Sequence, residues 1–113
     1  MSERLGVFEL SLNGDDPLKL RCTPHALRFI EKKHGGLRLV IQKITFVEFQ
    51  TMLDLIDAGL AGGMAYDKKV LEEEVFKHGL YNLIVPLTDY INLLGNGGQP
   101  PQDEKEAPKE GEA

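Results

Sequence analysis

Residues 45–63 read TFVEFQTMLDLIDAGLAGG. Thr45 is a favourable N-cap residue, and Glu48, three places on, completes a capping box. Phe46, Phe49, Met52, Leu53, Ile56 and Leu60 then recur at helical spacing, within a sector of roughly 120° at about 100° per residue. Glu48, Thr51, Asp54 and Ala58 take the opposite side, and Gly62-Gly63 supplies a stop. The spacing predicts a central amphipathic helix with one buried stripe and one solvated face. Val47 and Leu55 are apolar but lie off the stripe, either as ordinary surface residues or as part of a contact face.

Ahead of this helix, Phe8, Leu10 and Leu12 alternate with Val7, Glu9 and Ser11, and Leu18, Leu20 and Cys22 alternate with Lys19 and Arg21. Period-two alternation on both sides of the turn formers Asn13-Gly14-Asp15-Asp16 predicts a β-hairpin with one apolar face. Two strands alone are marginal in water, so that face must cover helices. Thr23 caps a first helix with Pro24 at its first position and Gly35-Gly36 at its end. Ala26, Leu27, Phe29 and Ile30 are its apolar side, and Lys32, Lys33 and His34 suit its C-terminal dipole. The run 37–44, LRLVIQKI, fits a short helix through Leu37, Val40, Ile41 and Ile44, and fits a buried strand less well.

Beyond the central helix, Met64-Ala65-Tyr66 connects to a helix that Asp67 caps and His78-Gly79 ends. Val70, Leu71, Val75 and Phe76 supply its apolar residues. Residues 80–94, LYNLIVPLTDYINLL, form the last helix, with Leu83, Leu87, Tyr90, Ile91 and Leu94 on one face. Pro86 removes a helical hydrogen bond, so a kink or restart is expected there. Gly95-Asn96-Gly97-Gly98 then breaks the order. Residues 99–113 carry three prolines, many charges and no aromatic or β-branched residue, the composition of a disordered acidic tail. The expected fold is α+β: an N-terminal hairpin packed on a small bundle of about four helices, as one domain over 1–95 followed by the tail 96–113.

The chain carries a net charge of −5, which argues against nucleic acid or an anionic membrane surface as partner. The single cysteine, Cys22, forms no intramolecular disulfide and fits a reducing compartment. A short polar start and the lack of an apolar run near 20 residues predict a cytoplasmic protein without a membrane span.

No catalytic, cofactor or metal signature emerges. His25, His34 and His78 lack ligand spacing, and His34 and His78 are expected to be surface residues at helix ends. Cys22 and His25 are close in sequence, but Cys22 belongs to the apolar face and has no orienting partner nearby. Asp54 and Asp57 are expected to be solvated helix charges. Gly59, Gly62 and Gly63 read as helix termination, not as a phosphate loop.

The order of elements, with VFELSLNGDDPLKLRCT, TPHALRFIEKKHGG, DAGLAGG and HGLYNLIVPLTDYINLLGNGG, resembles the tail assembly chaperones of long-tailed phages. The similarity is to the group found in prophages and gene transfer agents, often labelled tail tube protein, and spans about residues 6–98. Pro86 departs from the alanine-rich last helix of that pattern. The resemblance implies a non-catalytic protein in the bacterial cytoplasm. It would bind the helical tape measure protein, assist tail tube protein assembly, and possess no cofactor. A homo-oligomer is compatible with it, and a structural tube or connector subunit is the alternative. Off-core apolar residues that would serve such binding are Val47, Leu55, Met64 and Tyr66.

Overall fold

The computed structural model describes residues 6–14, 17–60 and 67–99. Met64, Tyr66, the glycine pair at 62–63, Asp15, Asp16 and the acidic segment 100–113 lie outside the described residues. Strands β1 (Val7–Leu10) and β2 (Leu18–Arg21) precede helices α1 (Pro24–His34), α2 (Leu37–Thr45), α3 (Phe49–Leu60) and α4 (Lys68–His78). A 3-10 turn (Leu80–Leu83) then leads into α5 (Ile84–Gly95). The expected α+β architecture holds: one antiparallel hairpin lies on a helical bundle.

The hairpin register pairs Phe8 with Leu20 and Leu10 with Leu18. Leu10, Leu12 and Leu20 are buried, as the alternation requires. Asn13, at φ +54°, turns the chain and fastens the hairpin tip to α4. Its Nδ2 donates to the Glu74 carbonyl at 2.9 Å and carboxylate at 2.7 Å, and its N–H donates to His78 Nδ1 at 3.4 Å. His78 therefore ties two elements together.

Helix α1 follows its sequence signals. Thr23 Oγ1 accepts from the Ala26 N–H at 3.1 Å, Pro24 opens the helix, and Gly35 closes it at φ +87°. The segment 37–44 is helical, and α2 extends one residue further than its apolar pattern, to Thr45.

Thr45 is therefore not the cap of the central helix but the end of the one before. Its hydroxyl donates to the Ile41 carbonyl at 3.0 Å, and the Phe46 N–H donates to the Gln42 carbonyl at 3.0 Å. The break falls at Val47, in the left-handed region at φ +60°. A β-branched side chain seldom adopts this conformation, so no sequence signal marked the break. It resets the helical phase and turns Phe46 outward, to 71% exposure. Helix α3 begins properly at Phe49, with the Met52 N–H donating to the Glu48 carbonyl at 3.1 Å. The capping-box roles are displaced: Thr51 Oγ1 donates to the Glu48 carboxylate at 2.8 Å.

Helix α3 is the centre of the molecule. It touches β2, α1, α2, α4 and the 3-10 turn, and is buried on nearly every side. Met52, Leu53, Ile56 and Leu60 are in the core as expected, but so are Thr51, Asp54, Leu55 and Ala58. The expected solvated face does not exist. Its composition held the clue: over 49–60 only Asp54 and Asp57 are charged, too few for a surface helix. Gly59 lies inside α3 and does not terminate it. A Cβ there would fall 2.7 Å from Leu20 Cβ, so the glycine is what lets β2 close on the helix.

In α4, Asp67 Oδ1 accepts from the Lys69 N–H at 2.9 Å and the Val70 N–H at 3.4 Å. Leu71 and Val75 face the core, whereas Val70 and Phe76 are exposed, so the buried arc is narrower than expected. The last helix restarts before Pro86: the 3-10 turn ends at Leu83, and Pro86 sits in the first turn of α5, where it removes no internal bond. Leu83, Leu87, Tyr90, Ile91 and Leu94 are all buried. After α5 the chain returns to the hairpin base. Gly98, at φ +81°, accepts through its carbonyl from the Gly6 N–H at 2.9 Å, and a Cβ on it would meet Gly6 Cα at 2.9 Å.

Candidate partner-binding surface

Of the four sequence-derived contact residues, Val47, Leu55, Met64 and Tyr66, the first two lie among the described residues. Leu55 has 0% exposure and is a core residue, so it is withdrawn as a contact. It lay off the stripe of a helix assumed to have a wet side; α3 has none. Val47 is half-buried at the strained turn between α2 and α3. Met64 and Tyr66 fall outside the described residues.

The exposed apolar residues are others. Phe46 is 71% and Phe76 74% exposed, and Phe49 stands at the margin of exposure at the start of α3. Phe49 and Phe76 line one shallow hollow with Glu72, Glu73 and Lys77, so α3 and α4 present an aromatic floor with a charged rim. Leaving large aromatic surface in water forgoes about 25 cal/mol per Å² of burial, which a partner can recover. Tyr81 and Val85 form a second exposed pair, four residues apart across the join between the 3-10 turn and α5. Sequence periodicity assigned Phe46, Phe49 and Phe76 to the core because it counts apolar residues without knowing where a helix ends or how wide its buried arc is.

A second constellation was missed outright. Asp54 is only 6% exposed and His34 is buried against it, with His34 Nε2 3.0 Å from Asp54 Oδ2. Gln50 Nε2 donates to Asp54 Oδ1 at 2.9 Å, and Lys33 Nζ lies 3.9 Å from the same oxygen. Lys43 Nζ is 3.1 Å from His34 Nδ1. An ammonium only donates, so Nδ1 accepts and the ring proton sits on Nε2, directed at Asp54. Lys43 on α2, His34 on α1 and Asp54 on α3 thus form one chain through three helices. Both ring nitrogens of His34 are engaged by protein groups, and the arrangement serves as a polar clasp.

The remaining chemical candidates have similar outcomes. Burial pushes the Cys22 thiol up from 9.0 to about 11, which keeps it protonated and opposes a thiolate–imidazole couple with His25. Asp57, its side chain a quarter exposed, meets the exposed Lys68 at 3.5 Å. Among the described residues no cluster of His, Cys, Asp or Glu could hold a metal ion, and no helix is long and apolar enough to cross a membrane. No protein-family model matches this chain, and neither a curated protein nor a solved structure matches it.

Proposed function

We propose that this chain is a non-catalytic tail assembly chaperone of the prophage and gene-transfer-agent type. It acts in the bacterial cytoplasm, binding the helical tape measure protein and assisting assembly of the tail tube protein. The observation that carries the proposal is the hollow in which Phe49, at the start of α3, meets the exposed Phe76 of α4, with Phe46 exposed at the end of α2. A shallow aromatic floor with a charged rim suits an amphipathic helix laid across it, since aromatic rings take varied apolar side chains without a fixed pocket. The sequence resemblance carried by the hairpin, α1, residues 57–63 and the 78–98 stretch is what suggests the tape measure protein as the helical partner.

The test is co-expression with a helical tape measure protein, followed by pull-down. The wild-type chain is expected to solubilise that protein and to come down with it in many copies. Phe46→Asp with Phe76→Asp is expected to abolish the co-purification while leaving the circular dichroism and melting temperature of the chaperone near wild type, because neither ring contributes to the core. Normal co-purification of this double variant rejects the surface. Failure of the wild type to bind, together with rings or tubes of the chain alone in electron micrographs, replaces the chaperone by a structural tail subunit.

A further inference from the structure

We infer that the exposed basic face of α1 is a docking site for the chain's own acidic segment, residues 100–113. The face is a shallow groove lined by His25, Arg28, Phe29, Glu31 and Lys32. Pro24, Arg28 and Lys32 are spaced by four and so follow one line along the helix. Lys33 is already engaged, by Asp54 at 3.9 Å and by the Phe29 ring at 5.4 Å. Arg28 and Lys32 have no ion-pair partner among the described residues, and Glu31 is the one carboxylate that α1 contains. Helix α1 therefore shows a net positive surface on a chain whose total charge is −5.

The place where the chain leaves the fold selects the occupant. Gly98 hydrogen-bonds to Gly6, and a Cβ on Gly98 would lie 3.3 Å from Cys22 Cβ. Cys22 directly precedes Thr23, the cap of α1. The segment beyond Gln99 thus starts beside the N-terminal end of the basic line. Its 14 residues hold Asp103, Glu104, Glu106, Glu110 and Glu112 against Lys105 and Lys109. Extended chain covers about 3.3 Å per residue, so these 14 residues reach about 46 Å. The 11 residues of α1 span only about 16 Å. Asp103 comes four residues after Gln99, about 13 Å of chain, which brings the first carboxylates level with Arg28 and Lys32. Attachment at the end of the groove gives the segment a high effective concentration there, an advantage that no free acidic peptide has. The contact is electrostatic and exposed, so salt must weaken it. While docked, the segment shields the face from other acidic partners.

The test compares backbone amide spectra of two full-length chains, the wild type and one with Asp103→Asn, Glu104→Gln and Glu106→Gln. At about 20 mM salt the amides of His25, Arg28 and Lys32 are expected to shift between the two forms, and the difference is expected to vanish at about 500 mM salt. Dilution of the protein should leave it unchanged, because the contact is within one chain. Arg28→Glu with Lys32→Glu should move the amides of 103–106 in the reciprocal experiment. Coincident α1 spectra at low salt overturn the proposal. So do changes confined to α4, or changes that fade on dilution, which would place the segment on another copy.

Discussion

Gly59 shows how one side chain, by being absent, fixes the distance between two layers. In an exposed helix, alanine in place of glycine gains about 1 kcal/mol from helix propensity. Here the added carbon would lie 2.7 Å from Leu20 Cβ and 3.0 Å from Leu20 Cα. Leu20 is fully buried and held in the hairpin register opposite Phe8, and its Cα is backbone that cannot rotate away. Overpacking of this kind costs about 1–3 kcal/mol and exceeds the propensity gain. Gly59→Ala is therefore expected to destabilise the protein by up to about 2 kcal/mol in urea titration. A rise in the urea midpoint would show that β2 moves away freely and that the close approach is incidental.

Helix α3 owes its orientation to two kinds of contact, apolar ones on most of its surface and the polar clasp at Asp54. Removing that carboxylate leaves His34 Nε2 and Gln50 Nε2 without their acceptor. Hydrogen bonds to a charged group contribute about 1.5–3 kcal/mol each, and buried donors left unpaired add desolvation cost. Asp54→Ala is expected to lose about 2–3 kcal/mol of stability. A double-mutant cycle with His34→Ala should return a coupling of about 1–2 kcal/mol. The partly exposed Asp57–Lys68 pair is the control, and Asp57→Ala should cost less, under about 1 kcal/mol. Equal effects at the two aspartates would remove the clasp as a determinant of the fold. Elements bounded by local signals are legible in the sequence: Thr23, Pro24 and Gly35 bound α1, Asp67 starts α4, and the alternation around Asn13-Gly14 makes the hairpin. The features that sequence patterning misses depend on neighbours. The break at Val47 needs a strained conformation that tertiary packing imposes, and the burial of Asp54 needs α1 to bring His34 across. The same gap misplaced the contact residues, putting Leu55 outside and Phe46 and Phe76 inside.

The hairpin and α5 join the two ends of the described chain, and this junction contains the groups whose titration can unfasten it. Tyr90 is fully buried, its ring centroid lies 5.8 Å from that of Phe8, and its hydroxyl donates to the Arg21 carbonyl at 2.8 Å. Burial raises its pKa above the ordinary 10.0, with the neighbouring Cys22 adding in the same direction. Cys22 itself is raised from 9.0 to about 11 by burial. Both groups are neutral when protonated, so a raised value in the folded state means that the unfolded chain releases its protons first. Between pH 9 and about 11 the unfolded state therefore binds fewer protons than the native one, and stability falls as pH rises. Ionised Tyr90 also loses the proton that it donates to Arg21, so the alkaline transition should begin where β2 meets α5. Urea midpoints are expected to hold steady from about pH 7 to 8.5 and to decline across pH 9 to 11. Cys22→Ala should flatten the first part of that decline and leave the part due to Tyr90. A wild-type midpoint unchanged through pH 11 would mean that water reaches both groups in the native state, and that the junction between hairpin and α5 is open.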